Sequence, residues 1–252
     1  MRSSFIVLAV VAAAIIGALG FLSTQAGVRA VDAMIPRFID HWAAQCVHWF
    51  AYRNNREWNN FWYGVPMSQF PTDLLIYENL ITESKPDMII ETGTWCGGLT
   101  LYLAALLDRS EAPGLVATID INPTRWENIG SRAAIKKSIM DRITFIQGSS
   151  TAAETFNAVR DLARGRKCVL VILDSDHSAA HVLAELNLFA ALVTPGSYLI
   201  VNDTARETWG HAPGPLAAVV EFLRNHPEFV IDTLSERYAV SCMHSGILKR
   251  LR

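Results

Sequence analysis

Two short stretches gather side chains able to do chemistry. "LDSDHSAAH" carries Asp174, Asp176, His177 and His181, and "VNDT" carries Asn202, Asp203 and Thr204. Carboxylate and amide oxygens suit a hard cation such as Mg²⁺, which prefers oxygen ligands and keeps several waters. Asp174, Asp176, Asn202 and Asp203 are therefore candidate metal ligands, and Asp174 also borders the cofactor cleft described next. Imidazole titrates near neutral pH, so His177 and His181 are the candidate general bases. Two other readings compete. Asp174, Ser175 or Asp176 would cap a following helix. Alternatively, one of these carboxylates with His177 and His181, which share a helix face, would mimic the facial triad of non-haem iron oxygenases. Asp203 has no obvious helix to cap, which favours a metal. Those oxygenases usually occupy β-barrels, which the pattern below does not support.

A third stretch, "MIIETGTWCGG", runs an apolar strand into Glu91, Gly93, Thr94, Gly97 and Gly98. Glycines permit positive φ and close backbone approach, and the N–H groups opening the next helix favour an anion or carboxylate. The spacing E-x-G-x-x-x-G differs from the dinucleotide fingerprint. Asp120 ends the next apolar run 29 residues after Glu91, where a carboxylate accepts both hydroxyls of a ribose. "QGSS" then places Gly148 and Ser149 where an adenine edge would lie. Together these residues point to a cofactor containing a nucleoside.

The elements that must position these residues follow an alternating rhythm. Apolar runs at 87–91, 115–120, 143–148, 168–174 and 196–203 alternate with helical patterns, the signature of a parallel sheet with crossover helices. "FVIDT" and "GILKR" close the chain as a strand pair. The expected fold is α/β, a Rossmann-like doubly wound sheet with a C-terminal antiparallel strand pair, and its ligands belong at the carboxyl ends of the strands.

Upstream, the pattern changes. "FIVLAVVAAAIIGALGFL", from Phe5 to Leu22, is an uncharged apolar run close to the length of a membrane span. Its competing reading is a cleavable signal peptide, given Arg2 before it and small residues around Ala26. Arg29 and Arg37 place the body on the cytoplasmic or matrix side of a single-pass membrane protein. Ile35, Phe38, Ile39, Trp42, Cys46 and Trp49 recur at helical spacing, predicting a juxtamembrane helix to about Arg53. The expected organisation is an anchor over 1–30, a Trp-rich helix and cap segment over 31–86, and the sheet domain over 87–252. The net charge of −2 gives no basic footprint for nucleic acid. The four cysteines form no CxxC pair and read as reduced thiols.

From about Trp58 to Arg250 the chain resembles the cephalosporin hydroxylase and rhamnosyl O-methyltransferase family. The matching stretches are "WYGVPMSQFPTDLLIYENLI", "KPDMIIETGTWCGGLTLYLA", "ATIDI", "VILDSDHSAAHVLAEL", "LVTPGSYLIVNDT", "PGPLAAVVEFL" and "SGILKR". The resemblance implies an S-adenosylmethionine-binding fold of the class I methyltransferase type. It implies that Glu91, Gly93 and Gly97 line the methionine side, that Asp120 holds the ribose, and that residues 147–150 border the adenine. It also implies Mg²⁺ at Asp174 or Asp176 together with residues 202 and 203. Two departures stand out: Leu99 occupies a position where the family commonly has serine, and Asn202 one that is often acidic. The expected activity is O-methylation of a small or lipid-linked acceptor by a membrane-anchored enzyme. The alternative is a non-catalytic methyltransferase-fold subunit of a membrane complex, and a homo-oligomer is a further expected assembly.

Overall fold

The computed structural model describes residues 59–110, 113–127, 129, 135–205, 213–238 and 241–252. They belong to a compact unit, Val47–Arg252. A ribbon of β1 (Asn59–Trp62) and β2 (Val65–Ser68) leads into helix α1 (Pro71–Ser84). Then come β3 (Met88–Thr92), α2 (Gly98–Arg109), β4 (Leu115–Asp120), and the short helices α3 (Thr124–Glu127) and α4 (Lys137–Met140). These are followed by β5 (Ile143–Gln147), α5 (Ala153–Ala163), β6 (Val169–Leu173), α6 (Ala179–Phe189), β7 (Tyr198–Val201), α7 (Pro215–Asn225), β8 (Phe229–Ile231) and β9 (Ile247–Arg250).

The seven-stranded sheet has the order β5-β4-β3-β6-β7-β9-β8. Its first five strands pair in parallel, while β9 runs antiparallel to both β7 and β8. This is the doubly wound sheet with a terminal antiparallel pair that the apolar rhythm predicts. Every residue of β3 and β6 is buried, as a parallel strand covered on both faces requires. Alternate side chains feed two cores. Ile89, Leu170 and Ile172 pack with α1 and α2, whereas Met88, Ile90, Val169 and Val171 pack with α6 and α7.

Helix α1 shows why the segment before the sheet is ordered. Pro71 opens it with a fixed φ, and Lys85 ends it in a left-handed conformation just before Pro86. Asp73, Ile76, Tyr77, Leu80 and Ile81 form its buried face. Leu99, the apolar residue where the resemblance favours serine, is part of the core on the α2 side.

The single-pass membrane localisation expected from the sequence is corrected here. Among the described residues no helix is long and apolar enough to cross a membrane. The Phe5 to Leu22 run and the helix predicted to about Arg53 lie outside the described residues. The β1–β2 ribbon is an element that the sequence pattern did not anticipate. Cys96, Cys168 and Cys242 are free thiols.

One polar side chain is buried in the middle of this frame. Glu91 on β3 is fully inaccessible, and its Oε2 accepts hydrogen bonds from Thr118 (2.6 Å) and Thr100 (2.5 Å). Burial pushes its carboxyl up from 4.5 to about 7, against the opposing effect of the two hydroxyls. A carboxyl whose folded pKa lies above its unfolded value contributes stability that is complete below pH 4.5 and is lost as the pH rises through about 7. The difference is on the order of 3 kcal/mol across that window. Glu91→Gln, which keeps the shape of the neutral acid, should gain stability over the wild type as denaturant melts move from pH 4.5 to pH 8. Parallel profiles for the two proteins would show that Glu91 does not titrate as described.

Candidate active site

The site lies at the carboxyl ends of β3, β4, β6 and β7, where chain order reverses between β3 and β6. Here Gly93 has φ +85°, and an added Cβ would stand 2.1 Å from the Asp174 carbonyl oxygen. Only glycine lets the two strand tips approach this closely. Backbone bonds lock the junction: Gly93 N–H donates to Ile119 O (2.8 Å) and Asp174 N–H to Thr92 O (3.0 Å). Gly97 precedes α2 at φ +81°, where a Cβ would meet Ile129 at 2.4 Å. Gly98 is the first residue of α2.

The side chains around this turn are tightly organised. Thr94 is buried and shares a 2.6 Å hydrogen bond with Thr118. The second oxygen of Glu91, Oε1, is buried with no partner among the described residues. Asp120 sits at the tip of β4, its Oδ2 accepting from Trp95 N–H (2.8 Å) and its Oδ1 from Asn122 N–H (2.9 Å). Each oxygen keeps a lone pair for a further donor. On the far side, Gly148 N–H donates to Asp120 O, and Ser149 pairs with Thr151 at 3.1 Å.

The polar cluster on β6 and β7 divides differently from its spacing in the sequence. Ligand atoms of Asp174, His177 and Asp203 all lie within 4.8 Å of one another. His177 Nε2 is 3.2 Å from Asp203 Oδ2. Burial, and then the charge of Asp203, push the Asp174 carboxyl well above the usual range. Asp203 has φ +60°, an uncommon conformation for a residue other than glycine, and the next turn is clamped. Thr204 Oγ1 donates to the carbonyls of Cys242 and His244, and Ala205 N–H also reaches Cys242 O.

Three predicted residues stand apart from that group. Asp176 Oδ1 accepts from Ser178 N–H at 2.7 Å, and hydrogen bonds from Ser178 hold its carboxyl below the usual range. Asp176 thus closes a turn before α6, whose N-cap is Ser178 with no side-chain cap bond. His181 Nε2 lies 3.1 Å from Ser150 Oγ and 3.5 Å from the buried Glu185. Asn202 is buried, and the oxygen expected to ligate accepts from Tyr77 O–H at 2.7 Å, which turns the amide N–H end toward Asp174.

Sequence reasoning missed the residues that support the cluster. Gln69 Nε2 donates to Asp174 Oδ2 at 2.8 Å, and Tyr77 holds Asn202 from α1. Asp73 is fully buried, accepts from Cys242 N–H at 3.0 Å, and is pushed up to about 7 by burial. All three lie in "SQFPTDLLIY", where Gln69 reads as a loop residue, Asp73 as a favourable charge in a first helical turn, and Tyr77 as part of an apolar stripe. Their contacts span more than 100 residues, beyond the reach of local spacing.

Known proteins resemble this chain. The family described as Rhamnosyl O-methyltransferase/CmcI matches residues 55–251. A rhamnosyl O-methyltransferase of Mycobacterium leprae (strain TN) is 31% identical over 207 residues, covering 78% of this chain and 84% of its own. One of Mycobacterium tuberculosis (strain ATCC 25618 / H37Rv) is 30% identical over 184 residues, covering 70% and 71%. Among solved structures, CmcI with Mg and SAM superposes with a TM-score of 0.60 at 24% identity, covering 77% of each chain. An apo-structure of CmcI gives the same score, covering 77% of this chain and 76% of its own. That likeness establishes the class I methyltransferase-like fold. The match over most of its length, by family and by relatives alike, places this chain in the Rhamnosyl O-methyltransferase/CmcI family.

Proposed function

We propose that this protein is an S-adenosylmethionine-dependent O-methyltransferase that uses Mg²⁺ and acts on a hydroxyl of a small or lipid-linked acceptor. Its strongest support is the β3–β6 junction, where the Gly93 turn and the Asp174–Asp203 pair face one cleft from adjacent strand tips. The curated relatives carry the name rhamnosyl O-methyltransferase, and a structural neighbour is a complex with Mg and SAM.

The residues present fit both groups. Glu91 Oε1 is a buried acceptor without a partner among the described residues, an atom that the ammonium of a methionine moiety satisfies. The Gly93 turn gives the close backbone approach that this moiety needs, and Asp120 offers its remaining lone pairs to a ribose diol. Gly148 and Ser149 border the adenine side, next to Asp120. Asp174 and Asp203 repel each other in a partly dry site, a repulsion that a divalent cation between them relieves. When bound, S-adenosylmethionine supplies an electrophilic sulfonium methyl, and Mg²⁺ supplies positive charge that lowers the pKa of an adjacent hydroxyl.

The protein's own contribution is alignment. Asp174 and Asp203 would fix the acceptor end and the Gly93 turn the donor end, on three strands whose tips are hydrogen-bonded in sequence, β3 to β6 to β7. Methyl transfer forms one C–O bond as one C–S bond breaks, leaving the neutral thioether, and the hydroxyl proton passes to water, which reaches the partly exposed Asp203. Holding the three reacting atoms in line on rigid strand ends removes much of the entropic barrier.

Two experiments test this function. Titration calorimetry with S-adenosylhomocysteine should show binding, and Gly93→Ala should abolish it, because its Cβ has nowhere to go; no binding by the wild type at millimolar ligand would overturn the proposal. With methyl-labelled cofactor and hydroxylated acceptors, Asp203→Ala or a chelator should lower label transfer by about 100-fold, while S-adenosylhomocysteine still binds. Undiminished transfer under both conditions would remove the cation from the reaction.

A further inference from the structure

Asn202, next to Asp203 at the β7 tip, is an expected cation ligand, yet its chemistry points elsewhere. Its amide oxygen receives the Tyr77 hydroxyl at 2.7 Å, in a place where Asn202 is 2% and Tyr77 1% exposed. Its Nδ2 end is buried, and the Asn202 amide acts on the Asp174 carboxyl as a side-chain hydrogen-bond donor that lowers its pKa. Turning the amide over would point N–H groups at the hydroxyl and leave the tyrosine proton without its acceptor. The amide is therefore held with its oxygen on Tyr77, and an N–H end offers nothing to a cation.

His177 stands where a third ligand is needed. It follows Asp174 by three residues in the turn before α6, and its Nε2 is 3.2 Å from Asp203 Oδ2. Two ligands about 2.1 Å from one ion stand about 3 Å apart when adjacent and about 4.2 Å apart when opposite. The 3.2 Å separation matches an adjacent pair, and the 4.8 Å limit on the whole group accommodates either arrangement. Gln69 and Asn202 both donate to the Asp174 carboxyl, whose oxygens keep further lone pairs for an ion. The side chains of His177 and Asp203 are 29% and 26% exposed, so water reaches the remaining coordination positions.

We infer that the cation site of this chain is a one-nitrogen, two-carboxylate set made by Asp174, His177 and Asp203, with Asn202 held outside it by Tyr77. The inference rests on the proposal that a divalent cation works at these strand tips. It removes His177 from the role of general base, because the nitrogen facing Asp203 is the one that binds. It also alters selectivity. Mg²⁺ favours all-oxygen surroundings, whereas an imidazole nitrogen favours first-row transition ions, so the site binds Mn²⁺ more tightly than Mg²⁺.

Mn²⁺ serves as the probe, added to the purified full chain and followed by titration and by pulsed electron paramagnetic resonance. The expected result is ¹⁴N modulation from a directly bound imidazole, with Mg²⁺ displacing Mn²⁺ only in excess. His177→Gln should remove the modulation and weaken Mn²⁺ by at least about tenfold, whereas Asn202→Ala should keep the modulation and leave the affinity within about twofold. Bound Mn²⁺ without ¹⁴N modulation in the wild type would overturn the inference, a measurement that does not depend on any variant folding. So would loss of Mn²⁺ in Asn202→Ala with retention in His177→Gln, or no Mn²⁺ binding at all. A parallel S-adenosylhomocysteine titration separates the two proposals. Mn²⁺ bound through nitrogen without S-adenosylhomocysteine binding would refute the methyltransferase function and leave the site standing, and the reverse outcome would refute the site alone.

Discussion

The contact on which the site depends is the approach of the β3 tip to the β6 tip at Gly93. A side chain there would overlap the Asp174 carbonyl, so a single hydrogen atom in place of a methyl sets the distance between the two ends of the cleft. The parallel pairing of β3 and β6, continued by the Asp174 N–H bond to Thr92, carries that contact into the fully buried centre of the sheet. The Gly93 turn and the Asp174 tip are thus held by the same backbone ladder that holds the core. This is how a sheet of apolar strands confers precision on polar side chains at its edge.

Burial of charge is the second theme. Glu91, Asp73 and Asp174 are carboxyl groups whose burial raises their pKa, and they cluster around the strand ends. Such an arrangement costs stability in the free protein, because solvation lost on folding is only partly returned by hydroxyl and amide donors. Cationic groups bound there, such as the proposed cofactor and divalent metal, would reverse that cost. Binding energy and electrostatic strain are therefore coupled at one place in the fold.

The sheet was legible in the sequence for a simple reason. Strands buried on both faces must be apolar throughout, and "MIIE" and "CVLVILD" announce that directly. The glycine turn and Asp120 were legible because strand ends collect ligands and because the matching family stretches run through them. Asp176 stands beside Asp174 among the candidate metal residues because a carboxylate two residues away looks equivalent in one dimension. In three dimensions it bonds to Ser178 and closes a turn. The membrane placement came from a segment outside the described residues, and no described helix supports it.

The sequence by itself determined the order of strands and helices, the glycine turn and the set of acids at the strand ends, since periodicity and residue type are local properties. Only the tertiary structure decided which of those acids meet. Gln69 reaches Asp174 across 105 positions and Tyr77 reaches Asn202 across 125, so the orientation of each site group is chosen by side chains that no spacing rule connects. The physical reason is that a hydrogen bond commits a particular lone pair. Whether an amide presents its oxygen or its nitrogen to a cleft depends on the donor behind it, and that donor is brought there by the packing of α1 on the sheet.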